Sequence, residues 1–510
     1  MDKVVHEYFD DLADMMIDSH VQGGRVSRQL IGEVLSRVAV NTPPEATRDE
    51  IAAGDMLRIP LPLSEGSVSK ATAALRDQGF LEDGPVIRGA GRPLTSVRLS
   101  KEHWFCIGVH LRQRAGVPVD GWVVAARLDD SETLADVRLE IPQPATASAE
   151  TLTTVIAAAI RRAVAAPAVR SRARGGRLPL LGIGIAVNCP VRGGTLIDRR
   201  DATGLGHDLG ADLAEALGAP VIVENDANAL AIRQTYGSDI EHQDFALVLV
   251  EEEGIGAAVS VGGRVYRGSE GFAGELGHVR VDRAALPLGR FGGQCSCGGE
   301  GHVDAYATPR WIRQQPAVHE SAAYLTAGRA LGHGLTALVG LVNPAQIMLV
   351  LTERLGSPAL RDVYLEAARA EVVSASASSP GAGVLLTPVV LEGQMLARRI
   401  ARAAATRVLI EFIDHLSGID GCLPKDRGAA TLTSTRAAAA LITPFGAAVG
   451  AVVGGAIGYA AHGAAIGRVV GRVLGEGRRA APIRETEPAR VQPGDSARAG
   501  RRGWQPPWPG

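Results

Sequence analysis

An excess of charge of either sign is missing from this chain. Its 53 basic and 55 acidic residues leave a formal net charge of −2 over 510 residues. That balance excludes a protein that coats nucleic acid through bulk charge, while a local basic patch stays open. Cysteine is scarce: Cys106, Cys189, Cys295, Cys297 and Cys422 are spread along the chain, an odd number at spacings that exclude a disulfide framework. Aromatic residues make up only 4%, so the cores must be built from Ala, Val, Leu and Ile. The first stretch, residues 1–20, is acidic and lacks a charged-then-apolar leader pattern. It reads as the unprocessed arm of a cytoplasmic protein. Solenoid-type repeats are also missing.

What is present is a folded composition, 46% hydrophobic and 21% charged, in a chain with room for about three domains. Residues 21–100 carry short helical patterns and a turn-rich end. From 104 to 415, apolar strand-like runs such as Leu181 to Val187, Pro220 to Val223 and Phe245 to Val250 alternate with helical stretches near Asp208 to Leu217 and Ala227 to Tyr236. That alternation predicts an α/β body of parallel sheets and crossover helices. Residues 429–476 turn to Ala and Gly, and 477–510 form an Arg/Pro-rich tail with a disordered composition.

In the head, Ser27 to Val40 places Leu30, Ile31, Val34, Leu35 and Val38 on one helical face. Thr47 with Glu50 forms a capping box for a second helix through Ile51 to about Met56. Ser64 caps a third, whose apolar face is Val68, Ala71, Ala74 and Leu75. Its opposite face offers Ser67, Ser69, Lys70 and Arg76, small and basic side chains suited to a DNA groove. Val86 to Leu99 would form a wing carrying Arg88-Gly89-Ala90-Gly91-Arg92-Pro93, in which Arg88 and Arg92 suit a minor-groove or phosphate contact. This is a winged helix-turn-helix pattern; a protein-binding winged helix would show the same periodicity.

In the body, Val223-Glu224-Asn225-Asp226-Ala227-Asn228-Ala229 ends a strand in polar groups and starts a helix at once. Ligands bind at such edges. Asp226 is placed to act as a general base toward a hydroxyl, or simply to cap the helix with Asn225. Further on, Ala273-Gly274-Glu275-Leu276-Gly277-His278 precedes Cys295-Ser296-Cys297-Gly298-Gly299-Glu300-Gly301-His302. His278, Cys295, Cys297 and His302 make a Cys2His2 donor set for one structural zinc.

These last motifs resemble the signature of the ROK family (repressors, open reading frames and sugar kinases), which runs Ala-Gly-Glu-x-Gly-His … Cys-x-Cys-Gly-x-x-Gly-Cys-x-Glu. The resemblance extends from about Val26 to about Ala404. It implies a two-lobed actin-like, sugar-kinase fold behind a winged helix-turn-helix, as in the regulator branch of the family. It also implies that Asn225, Asp226, Glu275, His278 and Asp304 face a sugar, with one imidazole nitrogen of His278 on zinc and the other toward the sugar. His302 stands for the family's third cysteine, and Asp304 for its glutamate, one methylene shorter. Ala186 to Pro190 replaces a Pro-Gly-Pro turn.

Family kinases resemble the wider actin-like clan, with Asp-x-Gly-Gly-Thr at a first phosphate loop and Gly-Thr-Gly-x-Gly at a second. Here the first reads Ile107-Gly108-Val109-His110-Leu111, then Arg112, and the second Glu252-Glu253-Gly254-Ile255-Gly256. Carboxylates there repel polyphosphate. After Asn343-Pro344, Val350-Leu351 stands where the family has Gly-Gly. The expectation is a regulator without catalytic residues, binding operator DNA and a sugar or phosphosugar as a homodimer or homotetramer. The alternative is an ATP-dependent hexose kinase with Asp226 as base.

From Ala437 to Ile466 the chain has no Asp, Glu, Lys or Arg, and Gly446, Gly450, Gly454 and Gly458 recur every four residues. The pattern resembles glycine-zipper segments and suits helix packing in a membrane. An Ala/Gly-rich soluble helix would read the same way.

Overall fold

The computed structural model describes residues 5, 8–13, 27–39, 45–46, 51, 63–87, 94–114, 117–129, 132–144, 147–172, 179–192, 195–196, 208–235, 244–252, 254–295, 297–376 and 384–417. The chain divides into two units, Met1–Pro424 and Lys425–Gly510. The second, with the glycine-spaced segment and the tail, lies outside the described residues.

The head contains α1 (Arg28–Ala39) and α2 (Glu65–Asp77). The α1 positions Ile31, Val34, Leu35 and Val38 are buried, as their spacing requires. Helix α2 starts where Ser64 Oγ accepts from the Ser67 N–H at 3.2 Å, the N-cap bond expected of a serine at that position. Strands β1 (Glu45–Ala46), β2 (Leu81–Ile87) and β3 (Leu94–Leu99) form an antiparallel sheet ordered β1-β3-β2. Of the helix expected from Thr47, only Ile51, buried, is among the described residues.

Two five-stranded sheets build the body. The first comprises β4 (Phe105–Arg114), β5 (Val117–Arg127), β6 (Thr133–Glu140), β7 (Leu180–Val187) and β8 (Val221–Asn225), ordered β8-β7-β4-β5-β6. The second comprises β9 (Phe245–Val250), β10 (Ile255–Val261), β11 (Arg264–Tyr266), β12 (Gln346–Thr352) and β13 (Leu385–Leu391), ordered β11-β10-β9-β12-β13. One topology is used twice: three strands form an antiparallel meander, and two more add in parallel on the far side of the first. The parallel pairing with crossover helices expected from the alternation holds for β7, β8, β12 and β13, and the meanders add antiparallel pairs that it does not include. Gaps such as Arg114 to Val117 and Val261 to Arg264 are too short for a crossover, so those strands must pair antiparallel.

Helices α3 (Ala149–Val164) and α4 (Leu209–Leu217) share a core with one face of the first sheet. After α5 (Asp226–Thr235), α6 (Glu320–Val342) and α7 (Pro358–Ser376) do the same for the second sheet. Apolar residues of α5 and the first half of α8 (Gly393–Leu416) join the second sheet's other face. Helix α8 also lies directly on β4 and β7. A Cβ at Gly108 or Gly184, which pair across those strands, would fall 1.7 Å from the Ala401 carbonyl oxygen or 1.8 Å from that of Ala404. Only glycine allows that approach.

The far end of α8 enters the head. Phe412 stacks on Phe80 at 5.3 Å between ring centroids and meets Phe9 edge-on at 5.0 Å. Phe80 stacks in turn on Trp104, whose indole N–H donates to the Gln78 carbonyl at 2.8 Å. Residues of the first stretch take part: Asp10 lies 3.0 Å from His415 Nε2, and Tyr8 Oη donates to the Leu180 carbonyl at 2.8 Å. Head, α8 and one face of the first sheet therefore share one hydrophobic core.

Candidate effector and metal site

Strand β8 carries the backbone to the sheet edge at Asn225, and α5 begins at the next residue. Asn225 Oδ1 accepts from the Asn228 N–H at 3.1 Å, and its amide donates to the Cys189 carbonyl at 3.3 Å. It is thus a cap and a cross-brace. Asp226 is buried, with Oδ1 accepting from the Ala227 N–H at 2.7 Å. Burial, reinforced by the neighbouring Glu251 carboxylate, raises its carboxyl well above the ordinary range.

Asn225, Asp226, Glu275, His278, Cys297 and Asp304 all line one cavity of about 450 Å³. The five side chains expected to face a sugar are thereby brought together. Asp304 Oδ1 accepts from the Ile255 N–H at 2.8 Å. Burial, helped by the Glu275 carboxylate, pushes Asp304 up to about 7.

Beside it, Cys295 Sγ lies 3.4 Å from His278 Nδ1 and 3.5 Å from Cys297 Sγ, which lies 3.4 Å from His302 Nδ1. All four donors fall within 4.8 Å of one another. Tetrahedral ligands on bonds of about 2.0–2.3 Å sit about 3.3–3.8 Å apart, so the quartet can hold a metal as it stands. Gly298 and Gly301, at φ +83° and +72°, turn the chain back so that His302 meets the thiols. Without a cation, burial pushes the Cys295 thiol up to about 12; a bound ion would hold it as thiolate. His278 Nε2, the nitrogen turned away from the thiols, lies 3.3 Å from Glu275 Oε2.

Each segment that stands where family kinases meet phosphate is otherwise engaged. Arg112, after His110, is paired with Asp120, with Nε 2.6 Å from Oδ1. The Gln113 N–H is bound to Asn188 Oδ1 at 3.1 Å. Glu252 is paired with Arg313 and Arg354, while Glu253 lies outside the described residues. Val350 and Leu351 extend β12 to Thr352 and are buried where a glycine turn would open a pocket.

Sequence reasoning missed two features. Glu224 is buried and accepts from Arg267 Nη2 at 2.6 Å and Arg407 Nε at 3.3 Å. Glu251, just past β9, lines the cavity with His110 and Asp226. Both were visible only as neighbours of residues already singled out.

On the head, α2 buries Val68, Ala71, Thr72, Ala74 and Leu75 and leaves Ser67, Ser69, Lys70 and Arg76 on the other side, with Lys70 exposed. Ser67 Oγ is 2.8 Å from Ser64 Oγ, and Arg76 is paired with Asp83. Arg88 and Arg92 lie outside the described residues.

The profile of the ROK family matches residues 119–409, more than half of the chain. This chain belongs to the ROK family. Curated relatives fall on both sides of it. An N-acetyl-D-glucosamine kinase of Histophilus somni is 35% identical over 103 residues, 19% of this chain and 34% of the kinase. The xylose repressor of Bacillus subtilis is 29% identical over 163 residues, 28% of this chain and 40% of the repressor. The matches thus span well under two thirds of either relative. Among solved structures, a ROK family transcriptional regulator, a homolog of the E. coli MLC protein, superposes with a TM-score of 0.55 at 18% identity, covering 77% of this chain and 98% of that one. At that identity the likeness establishes the ROK fold.

Proposed function

We propose that this ROK protein is a DNA-binding transcriptional regulator, a repressor of carbohydrate genes. In this reading its body binds a sugar or phosphosugar without phosphorylating it, and zinc at His278, Cys295, Cys297 and His302 fixes the His278 ring beside the sugar site. The observation that carries the reading is the continuity of α8. Gly393, Gln394, Leu396 and Ala397 at its start line the cavity, and Phe412 near its end sits in the core of the head that presents α2. A ligand that shifts α8 would move α2, with a coupling on the order of 1–3 kcal/mol. Ser67, Ser69, Lys70 and Arg76 would read the DNA groove, with Arg88 and Arg92 on the wing. A homodimer, or a homotetramer, would meet a near-palindromic operator. Arg76 must leave Asp83 to do so.

A hexose kinase with Asp226 as base is the second reading, favoured by a buried carboxylate of raised basicity in the sugar cavity. Selection of bound fragments from genomic DNA, with and without a panel of hexoses and hexose phosphates, tests the first. A two-fold symmetric site whose recovery changes with one sugar is the expected result. No enrichment, together with sugar-dependent ATP hydrolysis lost in Asp226→Asn, would establish the kinase instead.

A further inference from the structure

We propose that His110, Asp226 and Glu251 form a second divalent-metal site in the cavity wall, separate from the Cys/His quartet. Three elements deliver the donors. His110 is on β4, which pairs with β7 at Ala186; Ala186 pairs with Glu224 on β8, and Asp226 follows two residues later. Glu251 comes from the second sheet, one residue past β9. A ring nitrogen and two carboxylate oxygens from these residues lie within 4.8 Å of one another.

His110 is the decisive group. It is 1% exposed, and neither Nδ1 nor Nε2 has a hydrogen-bond partner. An imidazole buried with both nitrogens unsatisfied is unfavourable unless something takes up its lone pair. The carboxylates beside it need the same thing. Asp226 is held by backbone N–H groups, those of Ala227 and of Asp226 itself, which leave its charge unpaired. Arg112, whose charge reaches Glu251, is already paired with Asp120. One divalent cation would take up the imidazole lone pair and offset both carboxylates.

One nitrogen and two oxygens suit Zn²⁺, Mn²⁺ or Fe²⁺ and differ from the thiolate-rich quartet in softness. Three protein donors also leave positions open toward the cavity, where water or sugar hydroxyls would complete the shell. An ion on Asp226 would lower its basicity and so weigh against the kinase reading, and the site stands whether or not the head binds DNA.

Cobalt distinguishes the two sites, because only thiolate ligands give a charge-transfer band. The full-length protein, stripped with a chelator and titrated with Co²⁺, is expected to take up two equivalents by elemental analysis, one with the thiolate band and one with ligand-field bands alone. His110→Leu and, separately, Glu251→Gln should each bind one equivalent and keep the thiolate band, which also reports that the variant is folded. Uptake by the unaltered protein of a single equivalent that carries the thiolate band, or a second equivalent that survives both substitutions, would overturn the site.

Discussion

At the residue scale, Glu224 does not itself line the cavity but holds Arg267 and Arg407 in a buried cluster. Removing Glu224 leaves the Arg267 guanidinium without its carboxylate and Arg407 with Glu411 alone. Glu224→Gln should therefore lower unfolding stability by about 3 kcal/mol, measured by denaturant titration at neutral pH. The pH dependence has a definite sign. Burial alone would raise the Glu224 carboxyl, but the two arginines outweigh it and hold it below the ordinary carboxylate value. Its contribution is thus complete above the ordinary carboxylate range and lost as the pH falls through its lower folded value. Stability curves of the two proteins should converge in acid and separate toward neutrality; a gap independent of pH would exclude ionic stabilisation by this group.

Among the elements, α8 links most of the molecule. Its middle demands glycine on two neighbouring strands, and its end places Phe412, fully buried, against Phe9 and Phe80. Phe412→Ala should cost about 3–5 kcal/mol, as deletion of a buried aromatic ring does. Because that ring joins head to body, limited proteolysis should cut the head of the variant faster than its body. Equal protection of both parts would show that the head is held by other contacts.

For the whole molecule, the quartet ties the segment after β11 to the stretch that precedes α6, so an ion there braces one lobe. Removal of metal by a chelator should lower the thermal midpoint of the full-length protein, and Zn²⁺ should restore it. Cys295→Ser with Cys297→Ser should start from a lower midpoint and lose the quartet's share of the chelator response, leaving only what the His110, Asp226 and Glu251 site contributes. A midpoint indifferent to chelator in the unaltered protein would mean that the quartet holds no structural ion.

The sequence by itself determined whatever depends on neighbours along the chain. Ser64 caps α2 through a bond spanning three residues, Phe245 to Val250 forms β9 as its apolar run requires, and the Cys-x-Cys-Gly-x-x-Gly-His turn needs only its own glycines to gather three donors. Tertiary structure decided what depends on distant segments meeting. Glu224 and Arg407 are 183 residues apart, and no local period records their pairing. His110 reads as a strand residue until β9 and α5 bring Glu251 and Asp226 to its ring. Antiparallel meanders escaped the reading because β-strand periodicity is the same for either direction, and only the length of the connection distinguishes them. Helix α8 looks like any Ala-rich helix in sequence. That it reaches from the cavity to the head follows from Gly108 and Gly184, which let its backbone lie directly on the sheet.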